Sequence, residues 1–89
     1  MKDINEEVEL EYYCDTGRHV VCIPYSIPNL HRMAIDLGLK KSWFHRKRKF
    51  HHYDMPVRME KEIMARCNLV SGQDIVRICK GEPIKTQIN

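Results

Sequence analysis

Hydrophobic and polar positions along the 89-residue chain fall into short segments of different period. Val8, Leu10 and Tyr12 alternate with Glu9, Glu11 and Tyr13, the period of a strand with one face in a core. Asp15, Thr16 and Gly17 follow. Asp bonds its own backbone and Gly accepts positive φ, so a tight reversal should return the chain as a second, antiparallel strand over about His19 to Ile23. Pro24 lacks the N–H that a ladder needs and ends the hairpin. Leu30, Met33, Ala34 and Leu37 then recur at i, i+3, i+4 and i+7. With Ser26 as N-cap and Gly38 as stop, this spacing predicts a helix over 27–37. Pro56 in a first turn, Asp54 ahead of it as a cap, and the stripe Met59, Ile63 and Cys67 predict a second helix over 56–67. Leu69 and Val70 form a short third strand, and the S-x-x-D run from Ser71 to Asp74 opens a third helix over 72–80, closed by Gly81 and Pro83.

Strand, strand, helix, connection, helix, short strand, helix is the order of a small α/β domain, with α+β as the alternative, its helices laid on a sheet. The apolar share of 43% suits one compact core spanning 1–81. Residues 82–89 carry little apolar content and read as a mobile tail. With few strands, a sheet edge or helix face invites cover by a second copy of the chain, so a homodimer is one expectation.

Fifteen Lys and Arg against twelve Asp and Glu give +3, too small a charge to imply nucleic acid by itself. Its distribution says more. The first eleven residues hold five acids and one Lys, whereas residues 40–49 hold six Lys or Arg and no acid. Cys14, Cys22, Cys67 and Cys79 form no C-x-x-C pair, which leaves a zinc knuckle unsupported and makes them small buried hydrophobes. The opening residues lack the apolar core of a signal peptide, and no run reaches the roughly 20 apolar residues of a membrane span. A cytoplasmic protein with free thiols and no membrane contact is the expectation.

The connection from Trp43 to Asp54 concentrates the chemistry. Lys40, Lys41, Arg46, Lys47, Arg48 and Lys49 are interleaved with Trp43, Phe44, Phe50, His45 and His51. Such cations release counterions from phosphates, and flanking aromatics stack on unpaired bases for roughly 1–3 kcal/mol each. Tyr53 belongs to the same run, although its ring fits a core as well as a ligand. His45, His51, His52 and Asp54 are metal-ligating types whose spacing permits an ion without requiring one, so no metal or cofactor is assigned. Asp15 at a strand end, with His52 and Asp54, would supply a general base and an orienting carboxylate for phosphoester chemistry. The structural alternative has Asp54 capping a helix, His52 satisfying a buried carbonyl and the loop cations merely solvated. His31 lies at the border of the first helix's apolar stripe, where it serves either the core or the same pocket.

Cys22-Ile23-Pro24-Tyr25-Ser26, Asn29-Leu30-His31-Arg32-Met33-Ala34, Leu37-Gly38-Leu39, Trp43-Phe44-His45, His52-Tyr53-Asp54-Met55-Pro56 and Met64-Ala65-Arg66-Cys67 to Val70-Ser71 together resemble the family known as domain of unknown function 4031, found in bacteria and their phages. The resemblance covers about 12–80, and the W-F-H to H-Y-D pairing is its most specific part. It implies no biochemical activity. Members of that family often carry paired aspartates at the end of the first strand; Cys14-Asp15 stands there in this chain, which weakens any role needing two carboxylates.

Taken together, these readings favour a binding module for a phosphate-bearing ligand, nucleic acid first, acting through 40–54. The alternatives are a metal-assisted or His/Asp-dependent phosphoester-processing enzyme, and a phage protein that binds a host protein partner.

Overall fold

The structure, a computed structural model, describes residues 9–87. Val8, the first strand position expected from the alternation, lies outside the described residues. Two antiparallel strands, β1 (Glu11–Cys14) and β2 (His19–Ile23), form the expected hairpin. Its turn is closed by Asp15, whose Oδ1 accepts the N–H groups of Gly17 and His19, both at 3.0 Å. Helix α1 (Ile27–Leu37) runs between the predicted limits. Ser26 Oγ accepts Asn29 N–H at 3.1 Å, and Gly38, at φ 79°, reverses the chain so that Leu39 N–H reaches Ala34 O at 2.8 Å. Leu30, Met33, Ala34 and Leu37 are all buried, as the stripe requires.

The connection from 43 to 54 departs from the loop that its polarity predicts. A 3-10 turn (Lys41–Trp43) leads into β3 (Phe44–His45), and β4 (His52–Asp54) returns antiparallel to it, with His45 opposite His52. His-Tyr-Asp is therefore a strand, and Asp54 caps no helix. The second helix is also shorter than its stripe suggests: a 3-10 turn (Val57–Met59) precedes α2 (Glu60–Met64), in which Ile63 is buried. After Pro56 the chain tightens before it becomes helical, so the three stripe residues face inward without one continuous helix. The short strand predicted at Leu69 and Val70 is β5 (Asn68–Leu69), parallel to β1, and α3 (Gly72–Lys80) matches expectation.

The result is a small α/β domain with a five-stranded mixed sheet in the order β3-β4-β2-β1-β5. Helix α1 covers one face: His31 and Asp36 reach the hydroxyls of Tyr53 and Tyr12 there, at 2.7 and 2.6 Å. Helix α3 packs against β2 from the other side. Because β2 is covered twice, Val20, Val21 and Cys22 are all fully buried. Double cover also corrects the one-faced reading of β1, since Tyr13, assigned to the outer face, is 6% exposed. Burial pushes the Cys22 thiol up to about 12, and all four cysteines are free. Among the described residues, no helix is long and apolar enough to cross a membrane.

Past α3 the chain is tied back. Asp74 is fully buried and accepts hydrogen bonds from Lys85 N–H at 2.9 Å, Thr86 N–H at 2.7 Å, the Thr86 hydroxyl, and Arg77 at 2.6 Å. Ser71 Oγ caps α3 as the S-x-x-D run implies, accepting Asp74 N–H at 3.1 Å. The reciprocal half of that box is taken by another residue, because Ser71 N–H goes to Thr86 Oγ1 at 3.2 Å. The segment from Glu82, read as a mobile tail, is thus held at Lys85 and Thr86, with Ile84 packed on the core.

Candidate functional site

Alternation along β4 sorts the His-Tyr-Asp run onto two faces. Tyr53 points toward α1, is 1% exposed and bonds His31, which removes both residues from the face that carries His52 and Asp54. On that second face, towards α3, four strand residues meet. His19 lies opposite Asp54 across β2 and β4, and His45 lies opposite His52 across β3 and β4. The His45 and His52 rings stack in parallel with centroids 5.4 Å apart, and the His19 ring meets His52 edge-on at 4.9 Å. Asp54 Oδ2 accepts His45 Nε2 at 2.7 Å, while its Oδ1 lies 3.4 Å from His52 Nε2.

Hydrogen-bond partners fix the ring states. His52 Nδ1 faces the Phe50 carbonyl at 2.8 Å, so Nδ1 carries the proton and donates. Burial pushes His52 below its ordinary value, although the Phe50 carbonyl and Asp54 oppose the shift. In the neutral ring, Nε2 holds a lone pair turned toward Asp54. His19 Nδ1 lies 3.1 and 3.0 Å from the two oxygens of Asp15, a buried carboxylate that can only accept. His19 Nδ1–H therefore donates, which leaves Nε2 as the outer nitrogen. Gly17 makes room for this ring, since a Cβ there would come within 3.0 Å of His19 Cε1. Gly72, opening α3, likewise lets Asp15 approach, its Cβ position lying 3.3 Å from Oδ2.

Asp15, His19 and His52 border a cleft of about 240 Å³ between the sheet and α3, whose walls also include Lys47, Phe50 and Ile75. One ligand atom from each of His19, His52 and Asp54 falls within 4.8 Å of the other two. The site is accessible: the His19 and Asp54 side chains are 43% and 42% exposed, against 12% for His52.

The remaining sequence candidates are dispersed. Arg46, Lys47, Arg48 and Lys49 form the exposed tip of the β3–β4 hairpin, with Arg48 at φ 48°. Lys47 alone among them lines the cleft. Trp43 packs partly against the core and carries Lys40 and Arg58 over its ring at 5.6 and 5.8 Å, so it is no open stacking platform. Lys41 lies with His31 and Tyr53 beside a different hollow, near α1. His51 turns its ring toward Phe44, and its buried Nδ1 has no hydrogen-bond partner among the described residues. His19 was absent from the sequence candidates. The available signal was Asp15-Thr16-Gly17-Arg18-His19, an aspartate four residues ahead of a histidine across a tight turn, but its alignment with Asp54 depends on strand register.

No curated protein and no solved structure matches the chain. Residues 18–81 match a family described as "Protein of unknown function (DUF4031)", a span that holds α1, the β3–β4 hairpin, α3 and every residue of the cluster except Asp15. With well over half its length matched, the chain belongs to the DUF4031 family.

Proposed function

We propose that the chain binds a phosphate-bearing ligand in the cleft between the sheet and α3 and hydrolyses its phosphoester. One observation carries this reading: two imidazoles, each with one nitrogen fixed by a hydrogen bond, line a cleft that Lys47 overlooks, with the Asp54 carboxylate beside them. The histidine–carboxylate cluster lowers the cost of turning water into hydroxide. Lys47 offsets the charge of the phosphate, and the neighbouring tip cations raise its local concentration. Exposure of His19 and Asp54 lets a substrate reach the cluster without rearrangement of the fold.

A second reading, binding of nucleic acid through the hairpin tip alone, is favoured by the four consecutive exposed cations. Partial burial of Trp43 and Phe44 limits base stacking there.

The test is release of nitrophenolate from p-nitrophenyl phosphate and bis(p-nitrophenyl) phosphate, with and without added divalent cations, beside oligonucleotide binding at low salt. Hydrolysis abolished by His52→Ala in a folded variant is the expected result. Oligonucleotide binding without any hydrolysis would favour the second reading, and neither activity would remove both.

A further inference from the structure

His52 Nε2 and Asp54 Oδ1 face each other at 3.4 Å. The proton of His52 is committed to the Phe50 carbonyl, and Asp54 is an acceptor. With Nδ1 taken up by that carbonyl, Nε2 is the nitrogen of His52 placed to ligate, and it shares its corner with a carboxylate oxygen. His45 N–H satisfies only the other oxygen of Asp54. His19 completes the corner, with its ring edge-on to His52 and its Nδ1–H anchored on buried Asp15.

We propose that His19, His52 and Asp54 bind a first-row divalent transition-metal ion, with Asp15, His45 and the Phe50 carbonyl holding the three ligands in place. Two imidazoles and one carboxylate suit zinc, iron, manganese, cobalt or nickel better than calcium or magnesium, which prefer oxygen throughout. Metal-ligating histidines characteristically donate their second nitrogen to a carboxylate or a backbone carbonyl. His19 does the first and His52 the second. The ligand atoms lie within 4.8 Å of one another, whereas ligands about 2.1 Å from an ion sit roughly 3–3.5 Å apart, so binding draws the half-exposed side chains inward. Three protein ligands leave coordination positions open toward the cleft, the arrangement of a site that handles water or substrate. The site stands whether or not that substrate is a phosphoester.

The whole chain is titrated with cobalt(II), read by visible absorption, and with zinc(II), read by calorimetry. The expected result is one saturable site per chain with no near-ultraviolet thiolate charge-transfer band, since none of the four cysteines takes part. His19→Ala, His52→Ala and Asp54→Ala should each weaken binding about 100-fold or more, and Asp15→Asn, acting through His19, by about 10–100-fold. Far-ultraviolet circular dichroism checks folding, and should His52→Ala unfold, the other two ligand variants decide. Absence of saturable binding, a thiolate band, or affinity retained within about threefold by folded His19→Ala and Asp54→Ala would overturn the site. Metal binding without hydrolysis supports the site and removes only its proposed use, whereas hydrolysis by a chain that binds no metal overturns the site and keeps that use.

Discussion

Tyr53 and its two neighbours on β4 make contrasting demands at the scale of single residues. Tyr53→Phe strips the hydroxyl that His31 Nδ1 meets at 2.7 Å, on the α1 face. It should cost about 1–2 kcal/mol in urea unfolding while leaving ligand binding in the cleft unchanged. Lost binding with stability intact would mean that the two faces were wrongly assigned. Gly17→Ala should do the opposite: a methyl within 3.0 Å of His19 Cε1 displaces the ring, weakening metal or ligand binding more than it lowers the melting temperature. His52 and Asp54 were legible as candidates because an imidazole and a carboxylate, both ligating types, stand two positions apart in a run of histidines and cations. His19 was not, because its partner Asp54 lies 35 positions away and only pairing across β2 and β4 joins them.

At the scale of elements, legibility followed local chemistry. Helix α1 announces itself through Ser26, a complete apolar stripe and Gly38, each acting within one or two turns. Replacing Leu30, fully buried in that stripe, by Ala should cost about 2–5 kcal/mol in urea unfolding. Strands β3 and β4 are two and three residues long, too short for alternation to register, and Arg46 to Lys49 between them offer no Asn-Gly or Asp-Gly signal.

Helix α3 carries a pH-dependent tie. Burial, the largest influence on Asp74, disfavours its charge, but the Thr86 hydroxyl, the Lys85 and Thr86 N–H groups and Arg77 together outweigh it and hold the carboxyl well below the usual carboxylate range. A depressed folded-state value means stability fully present above about pH 4, the unfolded range, and lost as the pH falls further. Asp74→Asn should therefore cost about 3 kcal/mol near neutrality, and its gap from the parent protein should narrow in melts run toward pH 2. A gap independent of pH would show that shape, rather than charge, is what Asp74 supplies.

For the whole molecule, the sheet's double cover was the least legible property. Alternation in β1 implies one buried face, whereas Tyr13 on its second face is buried too, beside Val21 of β2, the strand that α3 packs against. That helix also builds the cleft. The basic tip was fully legible, but its position beside the cleft was not. Changing Arg46, Lys47, Arg48 and Lys49 together to Ser should leave the unfolding transition within about 0.5 kcal/mol, since all four are exposed. The same change should flatten the salt dependence of binding to any phosphate polymer. A salt dependence that is unaltered would place the cationic contacts elsewhere.

The β3–β4 hairpin divides the chain into stretches that tolerate a change of length and stretches that do not. A residue inserted among Arg46 to Lys49 lengthens an exposed tip and leaves every strand position where it was. Removing Tyr53, the residue between His52 and Asp54, turns the rest of β4 over, presenting a carboxylate to α1 in place of the buried ring. Across homologues, gaps should therefore collect at the tip, while the three-residue spacing of His-Tyr-Asp stays free of them.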